Sequence, residues 1–125
     1  MRVRILILAL ITILVIGSNL SVKSQNGYNV LIEDGTLTAY FAPDAIGSYS
    51  LDYYVSGFYN WDLIVVVSWQ SDTYPGWHDF YNRTFHLVTF ARDVVTLNSW
   101  TDDNVRYRVV FQTNSATAHA TWTFN

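Results

Sequence analysis

The sequence predicts an all-β protein, an antiparallel β-sandwich of seven or eight short strands, with an open barrel as the alternative. Three observations predict it. Runs of β-branched and aromatic residues recur at hairpin spacing from Tyr28 onward, with turn residues between them. No apolar repeat of helical period bounded by caps occurs beyond the N-terminal segment. All 21 aromatic residues lie beyond position 27, where they supply large apolar area to a chain without cysteine and therefore without disulfides.

The N-terminus is set apart by composition. Arg2 and Arg4 precede an apolar run over residues 5–16 that is broken only by Ala9 and Thr12. The run falls short of the roughly 20 residues that a spanning helix needs, and it leads into Gly17, Ser18, Asn19 and Ser21. A signal peptide over residues 1–24 is the expectation. Cleavage after Ser18 or Ser24 fits, and the later position is preferred because Val22 and Ser24 then fill the small-residue positions. The alternative is an uncleaved anchor over residues 3–22, its N-terminus held inside by the two arginines. Both readings place one domain, residues 25–125, outside the cell: secreted, or anchored to the membrane with the domain outside.

Beyond residue 24 there are four basic residues, Arg83, Arg92, Arg106 and Arg108, against ten acidic ones, a net charge near −6, and no lysine. That balance argues against a nucleic-acid partner and against a polybasic grip on anionic lipid, since both depend on many Lys and Arg contacts.

The elements follow in order. Residues 25–29 are a polar lead-in. Asn29 to Ala42 reads as two strands around Glu33-Asp34-Gly35, because Asp-Gly between two apolar runs is a hairpin signal, and Pro43 ends the second. A loop follows, then a third strand over 49–56 that stops at Gly57. The fourth covers 62–69; its apolar residues run on without alternating, which predicts burial on both faces. Residues 70–82 read as a loop. Residues 84–91 and 94–97 form two strands around Arg92-Asp93, or one strand with a bulge there. Residues 101–104 are a polar turn. Val105, Tyr107, Val109 and Phe111 then alternate with polar residues, as do Ala116, Ala118, Ala120, Trp122 and Phe124, and Thr113-Asn114-Ser115 between them predicts a hairpin with one wet face.

The stretch 58–82 concentrates the aromatic side chains. Tyr74-Pro75-Gly76-Trp77 has the chemistry of a type II turn, with Pro presetting φ at its second position and Gly supplying positive φ at its third. Tyr59, Trp61, Tyr74, Trp77, His78, Phe80 and Tyr81 are the candidate ligand-binding residues, because aromatic rings in a surface loop stack on sugars or settle at the lipid headgroup level. The bland alternative folds the loop back so that its rings cap the sandwich end.

Other constellations carry less. His78-Asp79 lacks an oriented nucleophile, no GxSxG occurs, and Glu33 is the only glutamate, so no catalytic residue is assigned and the chain is expected not to be an enzyme. His78 and His86 match no metal spacing, and Asp102-Asp103-Asn104 with Asp72 lacks that of a calcium loop; neither metal nor cofactor is expected. Arg106, Arg108 and His119 fall on polar strand faces, as an anion-binding stripe or as a solvated face that discourages aggregation. Asn82-Arg83-Thr84 is an N-glycosylation sequon, so Asn82 is the candidate acceptor.

Asp34-Gly35-Thr36-Leu37 with its continuation to Pro43, Tyr59-Asn60-Trp61-Asp62 and Gly76-Trp77-His78 resemble the actinoporins, secreted pore-forming cytolysins with a β-sandwich. The resemblance implies membrane contact by Tyr59, Trp61 and Trp77. The chain lacks the family's first half and the amphipathic helix that would build a pore.

The expected function is therefore a secreted, non-enzymatic binding module whose aromatic loop surface takes an extracellular glycan, a lipid headgroup or a protein. Two alternatives stand beside it. One is a self-assembling subunit of an extracellular fibre or surface layer, with residues 19–29 as a donor strand to a neighbour's sheet edge; the other is the actinoporin-like membrane binder.

Overall fold

Two strands far longer than the sequence predicts shape the molecule. The computed structural model describes residues 21–24, 26–43, 46–99 and 104–125. They contain β1 (Ser21–Ser24), β2 (Gly27–Leu31), a 3-10 turn (Glu33–Gly35), β3 (Thr36–Phe41), β4 (Gly47–Gln70), β5 (His78–Ser99), β6 (Arg106–Thr113) and β7 (His119–Phe124). The apolar run over 5–16 and residues 101–103 of the polar turn lie outside the described residues. No helix among the described residues is long and apolar enough to cross a membrane.

β4 and β5 pair along their length as one bent antiparallel hairpin of 24 and 22 residues. The ladder jumps register between Ser56 and Trp61, where Tyr59 (φ 65°) and Leu87 (φ 51°) adopt left-handed backbone. Extra residues in a ladder bend it and raise its twist. Gly57 makes the corner possible on the inside: a Cβ there would stand 2.9 Å from the Trp61 indole nitrogen and 3.1 Å from the Ala118 backbone.

The bend divides the sheet into two arms. Beyond the corner, β4 pairs with β6, β6 with β3, and β3 in parallel with β1. Before the corner, β4 pairs with β7, and β7 with β2. Their inner faces meet as a sandwich: Phe41 stacks on Phe124 with ring centroids 5.1 Å apart, and Phe111 touches both Tyr53 (5.7 Å) and Trp122 (6.0 Å).

Alternation places the core. Leu37, Ala39 and Phe41 of β3, Leu63, Val65 and Val67 of β4, Tyr107, Val109 and Phe111 of β6, and Ala120 and Trp122 of β7 are buried, while the residues between them mostly face outward. At about 25 cal/mol per Å² of apolar area withdrawn from water, large rings such as Trp122 and Phe111 carry much of the stabilisation.

Several expectations need correction. Asp34 and Gly35 do take positive φ (54° and 82°), yet the strands they join do not pair: β2 lies in one arm and β3 in the other, so the turn carries the chain across the sandwich. The strands read as third and fourth are one strand, β4, and the two segments around Arg92-Asp93 are one strand, β5, whose irregularities face the corner and Phe80 instead. The 62–69 segment is not buried on both faces, since Ile64 is 38% exposed and Val66 half-buried. β6 and β7 form no hairpin; they sit in opposite arms and face each other through Phe111 and Trp122. The loop after β4 closes at Trp77, because His78 already pairs with Trp69.

The segment expected to act as a donor strand pairs within its own chain, on β3 through β1 and on β7 through β2. Of the two cleavage positions, only the one after Ser18 would keep β1 with the domain.

Candidate functional site

The turn between β4 and β5 divides its aromatic residues between the two faces of one arm. Ser71 N donates to the Tyr74 carbonyl (3.2 Å), Tyr74 N donates to Ser71 Oγ (3.2 Å), and Gly76 N donates to Gln70 Oε1 (3.3 Å). Gly76 has φ 89°, the positive value that the Pro-Gly pair requires.

On the inner side, His78 lies against Trp69 with ring centroids 4.6 Å apart, Tyr74 meets Trp69 edge-on at 6.2 Å, and Phe80 meets Tyr107 edge-on at 6.1 Å. Tyr107 is itself buried. These rings cap the open end of the core, although Tyr74 and Phe80 remain 59% and 45% exposed.

Trp77 goes the other way. Its indole covers the Arg108 guanidinium, 4.7 Å from ring centroid to Cζ, and stands 5.8 Å from the Tyr40 ring. Strand register explains the meeting. Tyr40 of β3 is opposite Arg108 of β6, Arg108 is opposite Ser68 of β4, and Ser68 is opposite Asp79 of β5. Residues opposite each other in a ladder share a face and stand about 5 Å apart, so the four side chains form one row on the outer side of the arm, in which Ser68 is fully buried and Asp79 is exposed. Ser68 Oγ donates to Asp79 Oδ1 at 2.6 Å, which closes the row at its β5 end.

The remaining candidate residues are scattered. Tyr59 is 86% exposed at the corner, roughly 30 Å along β4 from the Trp77 turn. Trp61 is 2% exposed and belongs to the core, which corrects its placement on an aromatic surface. Tyr81 points inward and bonds to Tyr53 and Asp93. Asn82 is exposed, opposite Val66 on the outer face.

The anion-stripe expectation also changes. Arg106 pairs with Asp72 at 3.2 Å, and His119 lies in the other arm with its Nδ1 2.8 Å from the Thr117 carbonyl oxygen. Arg108 alone of the three reaches the Trp77 platform. Tyr40 was not among the candidate residues. Its signal was its even position in β3, on the side of the strand opposite Leu37, Ala39 and Phe41, but no local feature named the partner strands that bring it to Trp77.

The chemistry of this row is recognition by a flat ring, a cation and hydrogen-bonding groups. His78 projects to the face opposite Ser68 and Asp79, so no imidazole stands beside the hydroxyl. Among the described residues no three His, Asp or Glu side chains gather around a common point.

No protein-family model matches the chain, and no curated protein does. Solved structures with similar strand arrangements include a CBM4 chain (TM-score 0.45, 13% identity), which aligns with 69% of this chain; the chain spans 56% of that one. The pre-peptidase C-terminal domain of a collagenase from Bacillus anthracis aligns at TM-score 0.46 and 6% identity, over 87% of this chain and 97% of that domain. A carbohydrate-binding module specific for non-crystalline cellulose, CBM28, aligns at TM-score 0.41 and 12% identity, over 86% of this chain and 96% of that one.

Proposed function

We propose that the chain is a secreted, non-enzymatic β-sandwich module that binds an extracellular glycan on the outer face of the β3–β6–β4–β5 arm, against Trp77 and Tyr40. One observation carries the reading: an indole braced over Arg108 and beside Tyr40, at the end of a row that continues through Ser68 and Asp79. A pyranose has an apolar C–H face and a rim of hydroxyls. The ring supports the first, and the guanidinium and the exposed Asp79 carboxylate, held by the buried Ser68 hydroxyl, pair with the second. Bracing Trp77 in advance lowers the ordering cost of binding.

The test is a glycan-array screen of the secreted protein, followed by calorimetry on the best ligand with Trp77→Ala and Tyr40→Ala. Trp77→Ala is expected to weaken binding tenfold or more, which corresponds to about 1.4 kcal/mol. Equal binding by the wild type and Trp77→Ala would sink the proposal. Co-sedimentation with phosphocholine vesicles in place of glycan binding would move the partner to a lipid headgroup.

A further inference from the structure

Beyond residue 24 the chain has four cations, and the structure uses three of them in ion pairs. Arg83 pairs with Asp93 at 2.7 Å, Arg92 with Asp52 at 3.1 Å, and Arg106 with Asp72 at 3.2 Å. Arg108 differs. No carboxylate of the described residues lies within ion-pair reach of its guanidinium, although acidic residues outnumber basic ones in this domain. Its Nε is buried without a hydrogen-bond partner. Its one described close contact of a charged kind is with the Trp77 ring.

An unpaired guanidinium under an aromatic ring is costly to leave unmatched. The ring's quadrupole compensates part of the charge, but it supplies no acceptor to the buried Nε or to the terminal N–H fork beyond it. Asp79, the nearest carboxylate along the row, stands beyond Ser68, two strand spacings or roughly 10 Å away. It already accepts a hydrogen bond from the Ser68 hydroxyl. The row is thus arranged with its cation at the aromatic end and its carboxylate at the other.

We infer that the glycan taken by this face carries a carboxylate, and that Arg108 is the residue that binds it. The inference rests on the glycan reading above and names the class of sugar: a uronic or sialic acid. The planar fork of a guanidinium matches a carboxylate with two parallel N–H···O bonds, which a point charge cannot reproduce. Trp77 would hold the sugar ring beside Arg108, and Asp79, positioned by the buried Ser68 hydroxyl, would meet hydroxyls farther along the row. The domain's net negative charge adds selectivity, because a polyanion without a ring to stack gains nothing to offset the repulsion.

The experiment compares matched ligands on the unmodified protein. Calorimetry is run with oligogalacturonate, hyaluronan oligosaccharide and sialyllactose, each beside its methyl ester, and with a sulfated galactan. The expected result is a tenfold or greater preference for at least one free acid over its ester, weakening as salt rises. Arg108→Gln should abolish that preference, and Arg108→Lys should restore only part of it. Near-ultraviolet circular dichroism confirms that each variant keeps its fold, and the acid-to-ester comparison needs no variant at all. Equal binding of acid and ester overturns the inference and leaves the glycan reading standing, as does preference for the sulfated galactan. Absence of binding to acidic and neutral glycans alike overturns both.

Discussion

The Tyr81 hydroxyl donates to Asp93 Oδ2 at 2.7 Å, joining two residues of the same strand that lie in opposite arms of the sandwich. Around it, Tyr53 and Tyr81 share a hydrogen bond of 2.7 Å, and Arg83 Nη1 donates to the same Asp93 oxygen at 2.7 Å. β5 folds back at the corner and, among the described residues, pairs only with β4, which leaves its other edge without a partner strand there. The inward-pointing polar set closes the gap between the two arms there. Charged residues turned inward at an edge also discourage pairing with another chain.

This closure should give stability a dependence on pH at both ends. Hydrogen bonds from Tyr81 and Arg83 hold the Asp93 carboxyl below its ordinary range. A depressed folded-state pKa contributes stability that is fully present above about 4 and is lost as pH falls through the folded value. Burial raises Tyr53 and Tyr81 above the ordinary phenol range. Their contribution is present below about 10 and is lost as pH rises past it. In a urea series over pH 3 to 11, Tyr81→Phe is expected to lose about 1–2 kcal/mol near neutrality. Its difference from the wild type should shrink toward acid. A difference that stays constant from neutral to acid pH would show that Asp93 is not coupled to Tyr81.

Gly27 should be intolerant of any side chain. A Cβ there would lie 2.3 Å from the Trp122 ring, which is fully buried and cannot retreat. Gly27→Ala is expected to cost about 1–3 kcal/mol by overpacking. Tyr28→Ala, at a neighbouring residue that is 85% exposed, should change stability by less than about 0.5 kcal/mol. Thermal melts of the two variants make the comparison, and similar melting temperatures would contradict the packing of β2 on β7.

Trp61 and Tyr59, both at the corner, should part company in the same assay. Trp61→Ala empties a core site and is expected to cost about 3–5 kcal/mol. Tyr59→Ala removes an 86% exposed ring from left-handed backbone and should stay within about 0.5 kcal/mol of the wild type. Neither change should alter glycan binding while the domain remains folded, because both residues lie at the far end of the arm from Trp77. Loss of binding in folded Tyr59→Ala would move the site to the corner.

Much of the fold was legible in local chemistry. Alternation in 105–111 and 116–124 identified the buried residues of β6 and β7, because a strand's two faces repeat every second residue whatever its neighbours are. Asp34-Gly35 and Pro75-Gly76 announced left-handed backbone, and both turns have it. The aromatic loop was visible as a concentration of rings, and Trp77 within it.

Partnership was not legible, and it decided the rest. A local turn signal does not say which strand lies beside which, so β2 and β3 read as a hairpin although each pairs elsewhere. The run of apolar residues in β4 looked two-sided because hydropathy does not register which face of the sheet stays partly wet. The site shows the same division. The sequence by itself determined Trp77, its turn, and an outward Tyr40 and Arg108. Only the ladder from β3 through β6 and β4 to β5 set those two side chains in one row, 5.8 and 4.7 Å from the indole, since that proximity comes from strand register between segments far apart in the chain.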